Sequence, residues 1–374
     1  MAINPVDIDA RVDMIAGKVV EAGGGALKSD PGIMEPLAAG LRLSPGDARL
    51  YSLVGIVEEQ SGNRPAAAEA CSRALELAPT EVQALIHRLR YAIEDGRLAE
   101  ATDHLEMIGR RWPRHWSHVE PVLPVLLADR AAFDAIAQRF RAPGLRRLLI
   151  GSTAKTPQTL GFGYRLLTTW HGQGVAGLDD LINQITGAFI RQQRYSEAFL
   201  LFRLTRDETA DTGLVYNGGF DQPVSGNPFD WRLTRQAGVD LAIAPRRTAS
   251  GEVESVLAIR FLDNPIRFAN VSQMVRLAPG QYRLAIAYSA RELRAPKPLK
   301  FSVACVESGA RIGAGLFEYG TLASAELSFD FTVPPTRCSL QRLLVYNENL
   351  TESWKNRYAG TLYLHRVAIA LIGS

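Results

Sequence analysis

The stretch from Asn217 to Trp231, NGGFDQPVSGNPFDW, separates two unlike hydrophobic patterns. Before it run alanine- and leucine-rich segments with helical spacing. After it come short alternating segments punctuated by glycine and proline, as strands are. The paired Gly218 and Gly219 permit backbone angles that a side chain forbids, Phe220 and Trp231 supply apolar bulk, and Asp221 and Asp230 offer polar closure of turns. Such a segment suits the entry strand of a β-sandwich. The expected architecture is therefore multidomain α + β: a helical repeat domain over residues 1–206, then an antiparallel β-sandwich over residues 212–374.

The 374 residues suffice for two or three domains with cores of their own. A hydrophobic content of 47% and a charged content of 22% exclude disordered and collagen-like classes. Basic and acidic residues number 42 and 39, with no Lys/Arg block, so nothing indicates a nucleic-acid partner. The longest apolar candidate, Val119 to Ala128, contains Glu120, Pro121 and Pro124, and no membrane span is expected. The opening MAINPVDIDARVDM carries three aspartates and neither a basic nor an apolar leader region. A cytoplasmic protein and a form whose export segment is missing both fit that opening.

In the first half Pro45, Pro79 and Pro113 stand 34 residues apart. Ala67 and Ala101, Cys71 and Leu105, and Ala74 and Ile108 fall at equivalent positions in the same register. Tyr51, Val54 and Gly55 take the first-helix packing positions of one unit, and Leu85 and Leu89 those of the next. Small residues there let helices approach closely, and proline ends the second helix because it cannot continue the hydrogen bonding. Over roughly residues 30–115 this resembles the tetratricopeptide repeat family, with Arg88 standing where a smaller residue is preferred. Phe189, Tyr195, Ala198 and Phe202 recur much as a further repeat would. The resemblance implies a helical solenoid whose concave surface holds a protein partner, or a rigid spacer.

Several local motifs lack the context their chemistry needs. Gly172, Gly174 and Gly177 fit a dinucleotide-binding spacing, but YRLLTTWH before them reads as helix, not strand. Gly151 to Thr156 lacks the second glycine of a phosphate-binding loop. His115 and His118 have no further ligands to complete a zinc site. No nucleophile elbow or HExxH helix occurs, so neither an enzyme nor a cofactor is expected.

In the second half, SVLAIRFL sets Leu257, Ile259 and Phe261 against Val256, Ala258 and Arg260. QYRLAIAY places Tyr282, Leu284, Ile286 and Tyr288 on one face, and LSFDFTV does the same for Leu327, Phe329, Phe331 and Val333. GTLYLHRVAIALI supplies a long closing strand. These strands argue for two packed antiparallel sheets. NGGFD, Trp231, VSQMVRLAPGQYRLAIAYSA, FDFTVPP and GTLYLHRVAI, in that order, resemble the bacterial carbohydrate-binding modules of families four and nine, which are galactose-binding-domain-like jelly rolls. Gln273, Pro279, Gly280 and Tyr282 carry the best-matched motif. With the helical repeats, the chain resembles two-part tetratricopeptide proteins found beside bacterial exopolysaccharide genes.

Related modules hold a structural calcium between an acidic NGxFE motif and an aspartate of the last strand. Here Asp221 replaces the glutamate, and His365 and Arg366 stand where the aspartate is expected, so the resemblance implies no metal in this chain. Cys305 and Cys338 lie at strand ends that a sandwich can bring together. A bridge there closes a loop of about 34 residues, worth roughly 3 to 4 kcal/mol in the chain-entropy model, and implies an oxidising compartment such as the periplasm or cell envelope. Two separate buried thiols in a cytoplasmic protein is the alternative, and Cys71 reads as a small core residue.

Sugar-binding sandwiches set aromatic faces against pyranose rings and planar polar groups against hydroxyls. The candidates are Tyr346, Asn347, Glu348, Asn349, Trp354 and Tyr358, with Arg291 and Arg294 available to an acidic polysaccharide. Trp231 and Tyr282 are expected to pack in the core. The expected function is non-catalytic: the sandwich engages polysaccharide in exopolysaccharide assembly or export, and the repeats engage a partner protein. The alternative is a protein-interaction scaffold whose jelly roll binds no sugar.

Overall fold

A computed structural model describes residues 7–22, 27–204, 213–247, 253–348 and 356–372. The helices are α1 (Ile8–Glu21), α2 (Pro31–Leu43), α3 (Ala48–Gln60), α4 (Arg64–Leu77), α5 (Val82–Glu94), α6 (Leu98–Arg111), α7 (Trp116–Val119), α8 (Leu123–Ala128), α9 (Arg130–Arg139), α10 (Pro143–Thr153), α11 (Pro157–Gly172), α12 (Asp179–Arg191) and α13 (Tyr195–Leu204). The strands are β1 (Arg232–Leu233), β2 (Val239–Arg247), β3 (Val253–Pro265), β4 (Val271–Val275), β5 (Gly280–Arg294), β6 (Leu299–Cys305), β7 (Arg311–Leu316), β8 (Gly320–Val333), β9 (Gln341–Asn347) and β10 (Arg357–Leu371). The fold is helical first and antiparallel β afterwards, as the periodicities require. Packing divides the chain into compact units Met1–Trp170 and His171–Ser374. The helices end with α13 at Leu204 and the strands begin with β1 at Arg232, and the hairpin of α12 and α13 belongs to the same unit as the strands.

In the first unit α3 and α5 begin 34 residues apart, at Ala48 and Val82, and so do α4 and α6, at Arg64 and Leu98. The turn inside each pair holds a glycine with positive φ, Gly62 at 75° and Gly96 at 73°, which a side chain would strain. Polar side chains start the helices: Asp47 accepts from Arg49 N, and Glu81 from Ala84 N at 2.7 Å. The small residues expected between paired helices are in contact. A Cβ on Gly55 would lie 2.7 Å from Cys71 Sγ, and burial pushes the Cys71 thiol up to about 12. Arg88, the residue that breaks the repeat pattern, is accommodated by an ion pair to Glu100 at 2.7 Å. Of the glycines of the dinucleotide-like motif, Gly172 ends α11, and Gly174 and Gly177, both with positive φ, lie in the connection to α12.

The second unit is a sandwich of two five-stranded sheets, β1-β4-β9-β6-β7 and β2-β3-β10-β5-β8. Every pairing between these strands is antiparallel. The alternation read from the sequence decides which face is buried: Leu257, Ile259, Phe261, Tyr282, Leu284, Ile286, Tyr288, Leu327 and Phe331 enter one continuous core. Trp231 is fully buried against Phe220 with ring centroids 5.3 Å apart, and Tyr282 stacks on Phe331 at 5.7 Å. Both therefore pack, as expected. Cys305 and Cys338 are disulfide-bonded across a sequence separation of 33. The hairpin α12–α13 lays Phe199 and Phe202 on Phe229, at 5.2 and 5.6 Å, and Asn183 bonds the Ser225 carbonyl and the Asn227 amide. Among the described residues no helix is long and apolar enough to cross a membrane.

Candidate functional site

The turn that begins the sandwich is held from three sides. Asn217 closes it, accepting from Gln222 N at 3.1 Å and donating to Gln222 O at 2.9 Å. Of the two aspartates expected to close turns, Asp230 does so, accepting from Ser225 N at 2.7 Å, whereas the side chain of Asp221 lines a cleft. Trp231 Nε1 donates to Asn217 O at 2.9 Å, and Gln273 Nε2 donates to Tyr216 O and Phe229 O at 2.7 and 2.9 Å. Gly218 abuts the last strand so closely that a Cβ would sit 2.3 Å from Val367 O, and Val367 N donates to Gly218 O at 2.8 Å. The chain's residue 218 is thereby fixed to its residue 367.

Two side-chain-bearing residues of this turn hold left-handed backbone angles, Asn217 at φ 51° and Phe220 at φ 59°. Asparagine tolerates that region, whereas an aromatic residue there is strained by about 1 to 3 kcal/mol. Burial of the Phe220 ring against Trp231 offsets the cost.

Above the turn opens a cleft of about 570 Å³ lined by Tyr216, Asn217, Gly219, Asp221, Gln222, Glu254, Ser255, Ala287, His365 and Arg366. Its far wall exists because β10 slips register between Leu364 and Arg366. Leu362 and Leu364 point into the core, as do Val367 and Ile369, so two consecutive residues, His365 and Arg366, are left to the cleft. The interruption of the two-residue alternation was visible in the sequence. Its partners on other strands were not.

His365 is fixed in a polar chain across the sheet. Its Nδ1 lies 2.6 Å from Glu254 Oε1 and its Nε2 2.8 Å from Ser289 Oγ, while Arg246 donates to the same Oγ at 2.6 Å. The Arg246 guanidinium also covers the Tyr363 ring at 4.1 Å. Carboxylate, imidazole and hydroxyl in this order resemble an acyl-transfer triad. Ser289, however, is 0% exposed and its oxygen is capped by Arg246, so the hydroxyl has no path to a substrate. The chain orients His365 rather than activating Ser289.

The candidates named from sequence fall into four groups. Asn349 and Trp354 lie outside the described residues. Tyr358 and Asn347 are corrected to structural roles. Tyr358 is 0% exposed, faces Phe261 at 5.7 Å and donates to Lys297 O, so its ring meets no ligand. Asn347 spends its amide on the neighbouring backbone, accepting from Phe268 N and donating to Ile266 O, both at 2.9 Å. Both were chosen for their residue type in a polar loop, and burial overrides that choice.

Tyr346 and Glu348 form a separate charged cluster on β9 and just beyond it. Tyr346 is only 7% exposed, with the Arg311 guanidinium 4.8 Å from its ring centre. Glu348 pairs with Lys300 at 2.7 Å and Arg311 at 3.6 Å, and the Lys300 ammonium beside it holds its carboxyl below the usual range. Arg291 is exposed opposite Thr361 and does not line the cleft. Asp221, His365 and Arg366 do meet there. Among the described residues no group of three or more His, Cys, Asp or Glu could hold a metal ion.

No family model matches the chain, and no curated protein does. Similar solved structures include one titled a study of CBM4 structure and function, 16% identical, covering 42% of this chain and 99% of its own, with a TM-score of 0.32. A TmCBM61 structure in complex with beta-1,4-galactotriose is 15% identical over 43% of this chain and 100% of its own, at 0.30. The CBM22-1 xylan-binding domain from Paenibacillus barcinonensis is 13% identical over 38% of this chain and 86% of its own, at 0.29.

Proposed function

We propose that the β unit is a carbohydrate-binding module and that the chain is a non-catalytic accessory protein of bacterial exopolysaccharide assembly or export. The observation that carries the reading is the cleft of about 570 Å³ with an aromatic ring, amides, hydroxyls and charges on its walls. Its size is that of a small-molecule site, roughly 300 to 1,000 Å³. Its lining matches what a pyranose presents, an apolar face and a rim of hydroxyls. The motif order that resembles families four and nine supports the same reading, and the capped Ser289 supports a role without bond-making.

The helical unit is read as tetratricopeptide-like and as the part that takes a protein partner, on the 34-residue recurrence of its helix starts. The Cys305–Cys338 bond supports an oxidising location, periplasmic or in the cell envelope, over the cytoplasm. Affinity electrophoresis of the full chain in gels carrying bacterial exopolysaccharides tests the proposal. Retardation that Asp221→Ala weakens at least tenfold supports it. Unretarded migration in every gel, with the protein folded, would leave the protein-interaction scaffold as the better account.

A further inference from the structure

Within the cleft two opposite charges are left over. Asp221 and Arg366 both line it and both are exposed, yet among the described residues neither side chain has a hydrogen-bond or ion-pair partner, and they do not pair with each other. The remaining ionisable groups of the lining are engaged: Glu254 holds His365 at 2.6 Å, and His365 holds Ser289 at 2.8 Å. An unpaired cation and an unpaired anion facing one space of about 570 Å³ leave room for a group that satisfies both.

From this arrangement the geometry points to a sugar that bears a carboxylate, the uronic acid class, as the ligand of the cleft. Arg366 takes the carboxylate and Asp221 accepts hydroxyl protons from the ring. The inference rests on the carbohydrate-binding reading above and narrows it.

Three physical arguments favour that class. A guanidinium presents parallel N–H groups at the spacing of the two carboxylate oxygens, a match an ammonium does not offer. Asp221 and Glu254 already place negative charge in the cleft, which disfavours multiply charged phosphates while one Arg balances one carboxylate. The receiving walls are also set before any ligand arrives. Tyr216 is held by Phe202 at 5.0 Å and by a 3.4 Å bond to Gln222, and Gly218 is locked to Val367. The Tyr216 ring thus offers a fixed face for a pyranose, and the strained φ angle at Phe220 marks a turn whose shape the surroundings over-determine.

The test uses the full chain, calorimetry and four probes: galacturonic acid trimers, their methyl esters, neutral galactose trimers and sulfated galactose trimers. The acid is expected to bind at least tenfold tighter than its methyl ester. Arg366→Gln should bring the acid to the level of the ester while leaving the ester unchanged, and Arg366→Lys should recover only part of the difference. Asp221→Asn should weaken acid and ester alike.

Equal affinity for acid and ester, or an Arg366→Gln loss shared by both, overturns the inference and leaves the carbohydrate reading intact. Preference for the sulfated trimer overturns it in the same way. Absence of binding to all four, with near-ultraviolet dichroism and melting unchanged, removes the inference. If the exopolysaccharide gels also show no retardation, the broader reading falls with it.

Discussion

The helical unit and the β unit solve the same problem, burying apolar side chains, with contacts of opposite range. In the first, the best-packed helices are neighbours in sequence, α3 on α4 and α5 on α6, and the close approach of Gly55 to Cys71 joins residues of one hairpin. In the second, decisive contacts leap along the chain: Cys305 to Cys338, Gln273 to Tyr216, Gly218 to Val367. Local packing yields repeated, similar surfaces. Distant closure yields one cleft made of residues near 220, 254, 287 and 366.

That contrast can be broken most severely at the buried tryptophans. Trp231→Ala should cost the β unit about 3 to 5 kcal/mol and open the floor of the turn. Trp170→Ala, which also frees the Ala137 carbonyl bonded at 2.8 Å, should cost the helical unit as much. Hydrogen exchange read peptide by peptide should place each loss in its own unit. Exchange that rises equally in both would mean the two do not unfold separately.

Reduction comes next in size. Breaking Cys305–Cys338 should remove roughly 3 to 4 kcal/mol by the chain-entropy argument, and only from the β unit. Urea titrations with and without reductant, followed by near-ultraviolet dichroism, should show an earlier midpoint. The helical signal at 222 nm should hardly move.

Gly55→Ala probes the opposite regime, where a single methyl matters because the neighbours are close. Its Cβ would stand 2.7 Å from Cys71 Sγ, and overpacking of this kind costs about 1 to 3 kcal/mol. Cys71→Ala in the same chain should return part of that loss. Strict additivity of the two changes in thermal melts would show that they do not touch.

The smallest expected effect is pH. His87 is pushed down from 6.5 to about 4 by burial first and the Arg90 charge second, and burial also lowers His104. A histidine kept neutral by the fold takes up its proton more readily when unfolded. Its stabilising share is therefore present above about 6.5 and lost as pH falls toward about 4. After screening of a partly exposed ring, the loss from His87 should be about 1 to 2 kcal/mol. Melting of the helical unit should decline over that window, and His87→Gln should flatten the decline.

Much of the fold was legible because it is periodic. A 34-residue recurrence of proline and small residues located the hairpins, and two-residue alternation located the buried strand faces. The site was less legible. Asp221, His365 and Arg366 were singled out as the two ends of one lost metal site, and they do share a cleft. Glu254, Ser255, Ala287 and Gln222 were missed, since nothing in their own neighbourhoods distinguishes them from ordinary strand and turn residues. Tyr358 and Asn347 were misread because polarity of a loop suggested exposure, whereas the backbone of residues 266–268 and 297 had consumed their polar atoms.

By itself the sequence determined the order of the two architectures, the buried faces of the strands and the pair of cysteines able to bridge. The first two follow from short-range spacing, which sterics convert directly into helix and strand faces, and the cysteine pair from strand ends that a sandwich can bring together. Tertiary structure alone decided that a register slip in the last strand turns His365 and Arg366 toward the first turn. It decided too that Asp221 and Arg366 share a space without pairing. Such outcomes depend on where segments more than a hundred residues apart come to rest, and no local pattern encodes that position.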